Sequence, residues 1–107
     1  MIVYNIPQCT HNNILYETFL ELAELKGIAG VKDSSGDFVT FSRWLYSETA
    51  KKTSIVQGED YLDGPSLNAG AKGLVSGLCN VWVKPYIEIM EGSQREDWCL
   101  ATIIIPG

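Results

Sequence analysis

The sequence predicts an α/β domain with parallel strands, in the order βαβαβαβα. Four short runs dominated by apolar residues recur at 2–6, 28–32, 54–57 and 73–76. None alternates strictly between apolar and polar, as expected for strands covered on both faces. Each is followed by a stretch whose apolar residues repeat at helical spacing, and such alternation implies parallel strands joined by right-handed crossovers. Two architectures share this order: a small doubly wound sheet, and part of a (β/α)8 barrel.

The first run, Ile2-Val3-Tyr4-Asn5-Ile6, is stopped by Pro7, which has no N–H to give a sheet ladder. Leu15, Phe19, Leu22 and Ala23 then repeat at helical spacing, with Gly27 where the helix should end. The second run, Ile28-Ala29-Gly30-Val31-Lys32, leads to a helix carrying Phe38, Phe41 and Leu45, with Asp37 as its N-cap. The third, Ser54-Ile55-Val56-Gln57, leads to a short helix over 60–69 closed by Gly70, where Gly64-Pro65 marks either a break or the N-terminal turn. After the fourth, Gly73-Leu74-Val75-Ser76, the stripe Trp82, Tyr86, Ile89 and Met90 predicts a core-facing helix with Pro85 in its first turn. Residues 95–105 predict a fifth helix.

The 107 residues read as a single domain, 1–107, because no linker, low-complexity tract or long charge run divides them. Apolar residues are 46% and charged residues 20%, a globular composition and not that of a disordered tail. Eight basic against thirteen acidic residues give a net charge of −5. Phosphate-backbone binding needs several clustered Lys or Arg contacts, so nucleic acid is not expected as a partner. No apolar run approaches the ~20 residues of a membrane span, and no signal peptide is expected at the N-terminus. Cys9, Cys79 and Cys99 are odd in number and widely spaced, which reads as reduced thiols in a cytoplasmic protein. Cys9 and His11 lie two apart but have no second ligand pair nearby, so no metal site is expected. The glycines of 70–77 lack the order of a phosphate loop.

Chemistry concentrates at the strand ends. In Gly30-Val31-Lys32-Asp33-Ser34-Ser35-Gly36-Asp37 a lysine closes an apolar strand and precedes a small, polar turn. Desolvation there favours the neutral amine, which can attack a ketone and form a Schiff base. Tyr4 ends its own strand 28 residues earlier, so a parallel sheet brings the two together, and a phenol beside an amine can relay protons. Glu59 and Asp60 are adjacent in a strand-to-helix turn and point apart. Asp60 therefore reads as a helix cap or an acceptor for substrate hydroxyls.

Four motifs in register carry a resemblance. They are Tyr4-Asn5-Ile6-Pro7 with Thr10, the 30–37 run, Gln57-Gly58-Glu59-Asp60, and Gly70-Ala71-Lys72-Gly73-Leu74-Val75-Ser76-Gly77 with Asn80. Their order and spacing over residues 1 to about 90 resemble the dihydrodipicolinate synthase and N-acetylneuraminate lyase family, which includes 2-keto-3-deoxygluconate aldolases. The resemblance implies a (β/α)8 barrel, of which these four βα units are the fifth to eighth: a half-barrel. It implies a class I aldolase that binds pyruvate or another 2-keto acid as a Schiff base, with no metal or organic cofactor. Lys32 is similar to the Schiff-base lysine and Tyr4 to the proton-shuttling tyrosine. Gly58, Asp60 and Ser76 match positions that contact the hydroxylated half of the substrate, and Gly36 and Asp37 line the same site.

The sequence also departs from the family pattern. A complete barrel runs to about 250 residues, and the Thr-Thr-Gly type loop that grips the substrate carboxylate has no counterpart here. His11 stands where a glycine is usual, and Val83-Lys84 delays the proline that normally follows Asn80 closely. A half-barrel leaves strand edges open, so a homo-oligomer is expected. The alternative functional reading is a non-catalytic half-barrel that serves as an assembly unit.

Overall fold

In the computed structural model, which describes residues 1–95, the four expected runs form one parallel sheet in chain order. Its strands are β1 (Ile2–Asn5), β2 (Gly30–Asp33), β3 (Ser54–Gln57) and β4 (Gly73–Leu74). Five helices accompany them: α1 (Pro7–Thr10), α2 (Tyr16–Leu22), α3 (Phe38–Leu45), α4 (Asp63–Asn68) and α5 (Lys84–Gln94). Single 3-10 turns at Glu48–Lys51, Asp60–Leu62 and Leu78–Asn80 complete the connections. The helix expected over 95–105 lies outside the described residues.

Pairing sets Tyr4 beside Lys32, Lys32 beside Val56, and Val56 beside Gly73. Side chains alternate across the pleat, so these four share one face. The other face carries Val3, Val31 and Ile55, then Asn5, Asp33, Gln57 and Leu74 one step on. There the core forms: Val31 and Ile55 pack with Phe19 and Ala23 of the α2 segment and with Phe41 and Trp44 of α3. The Phe19 and Trp44 rings meet edge to face at 5.1 Å, and Trp44 Nε1 donates to the Tyr16 carbonyl at 3.2 Å. The α4 residue Ser66 accepts from Gln57 Nε2 at 2.9 Å, and Leu74 faces Val83, Ile87 and Met90 on and beside α5. Helices α2 to α5 therefore all sit on one side.

Within the described residues, helices cover one of the two faces expected to be covered. Ile2 and Tyr4, on the opposite face, are 50% and 46% exposed. A doubly wound sheet puts helices on both faces, whereas the inner face of a barrel is covered by strands across its axis. The arrangement is that of barrel units.

Local chemistry explains the boundaries. Asp37 caps α3 as expected, its Oδ1 accepting from Thr40 N at 3.1 Å. Gly64 and Pro65 lie in the first turn of α4, where a missing N–H costs nothing, and Pro85 does the same in α5. Gly70 closes the α4 connection at φ +105°, a conformation that strains any other residue. Strand β2 starts at Gly30, two residues later than the apolar run suggests, because only Gly30 onward pairs with both neighbours. Trp82 precedes α5 and is 47% exposed, so the expected apolar stripe shrinks to Tyr86, Ile89 and Met90.

Candidate active site

The open face gathers the chemistry at the C-terminal ends of β1, β2 and β3. The Lys32 ammonium lies 4.3 Å from the centroid of the Tyr4 ring, across the β1–β2 pairing. The Tyr4 hydroxyl accepts from Ser34 Oγ at 3.3 Å. Gly58 makes this crowding possible: a Cβ there would stand 2.6 Å from Lys32 Cε and 2.3 Å from Ser34 Oγ. Tyr4, Lys32 and Gly58 are thus brought into one cluster.

Ser34 belongs to the cluster although its residue type alone did not single it out. Its signal was position, as a small polar residue two after the lysine. Beneath it lies a polar network on the helical side of the sheet. Asn5 Nδ2 donates to Asp33 Oδ1 at 2.8 Å and to Asn13 Oδ1 at 3.1 Å, while Ser35 Oγ donates to Asp33 Oδ2 at 2.9 Å. Burial pushes the Asp33 carboxyl above its ordinary pKa, and the bonds from Asn5 and Ser35 pull the other way. Gln8 Nε2 donates to the Ser34 carbonyl at 2.7 Å, fixing the turn that follows Lys32. Asp37 is occupied by its cap, and bonds from Thr40 hold its carboxyl below the usual range.

Asp60 and Ser76 belong to a second set, between the β3–α4 turn and α5. Asp60 Oδ1 accepts from Tyr86 Oη at 3.0 Å, and its Oδ2 lies 3.9 Å from where a Cβ on Gly77 would stand. Asp60 is therefore not a helix cap. Burial, then the bond to Asp60, raise the Tyr86 phenol above its ordinary value. Ser76 is buried and donates from Oγ to Asp63 Oδ2 at 2.5 Å. Asp63 is itself 1% exposed, and its Oδ1 has no hydrogen-bond partner among the described residues. Burial and the nearby Asp60 and Glu59 charges raise its carboxyl to about 7 against the pull of Ser76. Among the described residues, no group of three or more His, Cys, Asp or Glu is placed to hold a metal ion. None of the helices among them is long and apolar enough to cross a membrane.

The model of the dihydrodipicolinate synthetase family matches residues 1–103. The chain belongs to this family. It is 35% identical over 98 residues to 4-hydroxy-tetrahydrodipicolinate synthase of Methanospirillum hungatei, an overlap of 92% of this chain and 34% of the relative. It is 34% identical over 95 residues to the enzyme of the same name from Listeria monocytogenes, covering 89% of this chain and 32% of the relative. Among solved structures, the dihydrodipicolinate synthase of Acinetobacter baumannii complexed with pyruvate superposes with a TM-score of 0.86 at 27% identity, over 94% of this chain and 34% of that one. N-acetylneuraminate lyase from Fusobacterium nucleatum superposes with a TM-score of 0.78 at 27% identity, over 92% and 34%. The chain spans about a third of the length of these relatives. Its four βα units are a portion of the (β/α)8 barrel.

Proposed function

We propose that the chain carries the Schiff-base half of a class I aldolase or lyase acting on pyruvate and related 2-keto acids. The observation that carries this reading is the apposition of the Lys32 amine and the Tyr4 ring on adjacent strands, with Gly58 leaving room for the lysine. The pyruvate bound to the similar Acinetobacter enzyme supports the substrate class.

In this reading the neutral Lys32 amine attacks the C2 carbonyl of the keto acid. The carbinolamine loses water to give a protonated imine, and loss of a C3 proton to a base then gives the enamine, whose C3 bonds to an aldehyde. In the reverse direction the C3–C4 bond breaks into the imine, the aldehyde leaves and C3 regains a proton. Tyr4 hands a proton to the departing hydroxyl and takes it back, with Ser34 as its hydrogen-bond partner. The imine does the polarising, so no metal or organic cofactor is needed. Gly58, Asp60 and Ser76 are assigned to the second, hydroxylated half of the substrate. Of these, Asp60 keeps one carboxylate oxygen outside its bond to Tyr86, whereas Ser76 is committed to Asp63.

Borohydride with pyruvate tests the reading. Reduction should fix one pyruvate on Lys32, and peptide mapping should find none on Lys26, Lys51, Lys52, Lys72 or Lys84. Even labelling over the six lysines would overturn it. A non-catalytic assembly unit is the second reading, in which the Ser76 hydroxyl stays bound to Asp63 and the Asp60 carboxylate to Tyr86. It predicts no label at all.

A further inference from the structure

Asp33 is a buried carboxyl, 1% exposed, that takes no step in the proposed reaction. It follows Lys32 in β2, so its side chain lies on the helical side of the sheet while the lysine faces the open side. The ion pairs among the described residues leave it out. Neutral donors meet it instead, Asn5 Nδ2 on one oxygen at 2.8 Å and Ser35 Oγ on the other at 2.9 Å. Burying such a charge is costly, and an apolar side chain would fill the same space at less cost. What a two-oxygen acceptor adds is a tie between chain segments. Asn5, itself 3% exposed, has its other groups engaged on the loop after α1. Its Nδ2 also donates to Asn13 Oδ1, and its Oδ1 accepts from Ile14 N at 3.0 Å. Ser35 Oγ in turn accepts from Asp37 N at 3.1 Å. The carboxylate thus fastens the turn after β2 to the end of β1 and to the loop leading into α2. Ser34 sits between these ties, its N donating to the Asn5 carbonyl at 2.9 Å and its Oγ to Tyr4 Oη.

We propose that Asp33 is a positioning residue for the proton relay at Lys32, acting through the Ser34-Ser35 turn. The inference rests on the aldolase reading above. By holding Ser35, Asp33 holds Ser34 with its hydroxyl donating to Tyr4. That bond occupies a lone pair of the phenol and leaves the phenolic hydrogen for the carbinolamine hydroxyl. The hydroxyl takes this proton and departs as water, while the nitrogen lone pair closes the imine. Both partners of Asp33 are donors, so an amide at this position would set an N–H against one of them. Asn5 is held by Asn13 and Ile14, which leaves Ser35 as the partner that turns aside. The turn then carries Ser34 away from Tyr4.

The test measures how fast pyruvate and excess borohydride label Lys32, at saturating pyruvate and per folded chain. Asp33→Asn should slow labelling by about tenfold or more, since a misplacement of about an ångström costs up to ~10²-fold. Exchanging the pair, Asn5→Asp with Asp33→Asn, again faces one donor with one acceptor and should recover most of the rate. Because Asp33 acts through Ser34, the double variant Asp33→Asn with Ser34→Ala should react at the rate of Ser34→Ala alone. Ser35→Ala keeps the charge and removes one donor, so it should slow labelling even where Asp33→Asn does not fold. A merely structural Asp33 would change the folded fraction and leave the rate per folded chain at the parent value in Asp33→Asn and Ser35→Ala. That result overturns the proposal, as does a double variant whose two effects multiply. An exchanged pair as slow as Asp33→Asn alone also overturns it, because the charge at position 33 then matters and not the tie. A parent chain that takes no label at Lys32 overturns the aldolase reading itself, and this inference with it.

Discussion

The space at position 58 decides where the amine of Lys32 can lie. An alanine there would set its methyl 2.6 Å from Lys32 Cε and 2.3 Å from Ser34 Oγ, both movable ends of side chains. The fold should therefore survive Gly58→Ala while the lysine shifts by about an ångström. Displacements of that size cost up to ~10²-fold in reactivity, so borohydride trapping at Lys32 should slow by about tenfold or more with the far-ultraviolet spectrum unchanged. Trapping at the original rate would show that Gly58 sets no geometry. Tyr4→Phe is the complementary change, keeping the ring under the ammonium and deleting the hydroxyl that meets Ser34. In an active barrel carrying this chain, turnover should fall by ~10²–10⁴-fold, the range of a lost acid–base group. Equal turnover would leave Tyr4 as packing. Tyr4 and Lys32 were legible in the sequence because each stands toward the C-terminal end of an apolar run, and parallel strands bring such ends together. The bonds from Tyr86 to Asp60 and from Ser76 to Asp63 were not, because they link residues 26 and 13 apart through helix placement that no local pattern encodes.

At the scale of the element, the strands owe their seams to close backbone approach. A Cβ on Gly30 would fall 1.9 Å from the Ser54 carbonyl oxygen, and neither strand can yield without losing its ladder. Gly30→Ala should thus destabilise the sheet by about 3 kcal/mol or more, read as a large drop in the urea midpoint. A midpoint within error of the parent would mean that β2 and β3 lie farther apart than this. Glycine as a spacer was invisible in the sequence, because the demand comes from a strand 24 positions away. The start of α3 was legible to the residue, since its Asp37 cap and its apolar stripe are both local. Strand β4 pairs over two residues where four were expected, and Trp82, at helical spacing from Tyr86, stays outside α5. Periodicity counts residues and cannot tell which of them gain a partner.

Across the whole molecule, two buried carboxyl groups oppose the usual course of stability with pH. The ordinary carboxyl value, near 3.8, holds for the unfolded chain, whereas Asp63 in the fold stands at about 7 and Asp33 is also raised. Between these limits the folded protein keeps protons that the unfolded chain has released. Stability must then fall as pH rises from about 4 to about 7, and level off above. One pKa unit corresponds to about 1.4 kcal/mol, which makes roughly 4 kcal/mol the ceiling for Asp63. That is a large share of the ~5–15 kcal/mol that holds a typical domain together. Asp37 works in the opposite sense, its lowered value adding stability that vanishes only in acid, but it is exposed and its share is small. Melting temperature should accordingly be higher at pH 5 than at pH 8. Asp63→Asn keeps an oxygen to accept from Ser76 and removes the charge, so it should raise the melting temperature at pH 8 by on the order of 10 °C and flatten the profile between pH 4 and 7. If the variant instead melts lower at pH 8 and its profile keeps the parent's slope, the ionised Asp63 is tolerated in the fold and the destabilising charge lies elsewhere.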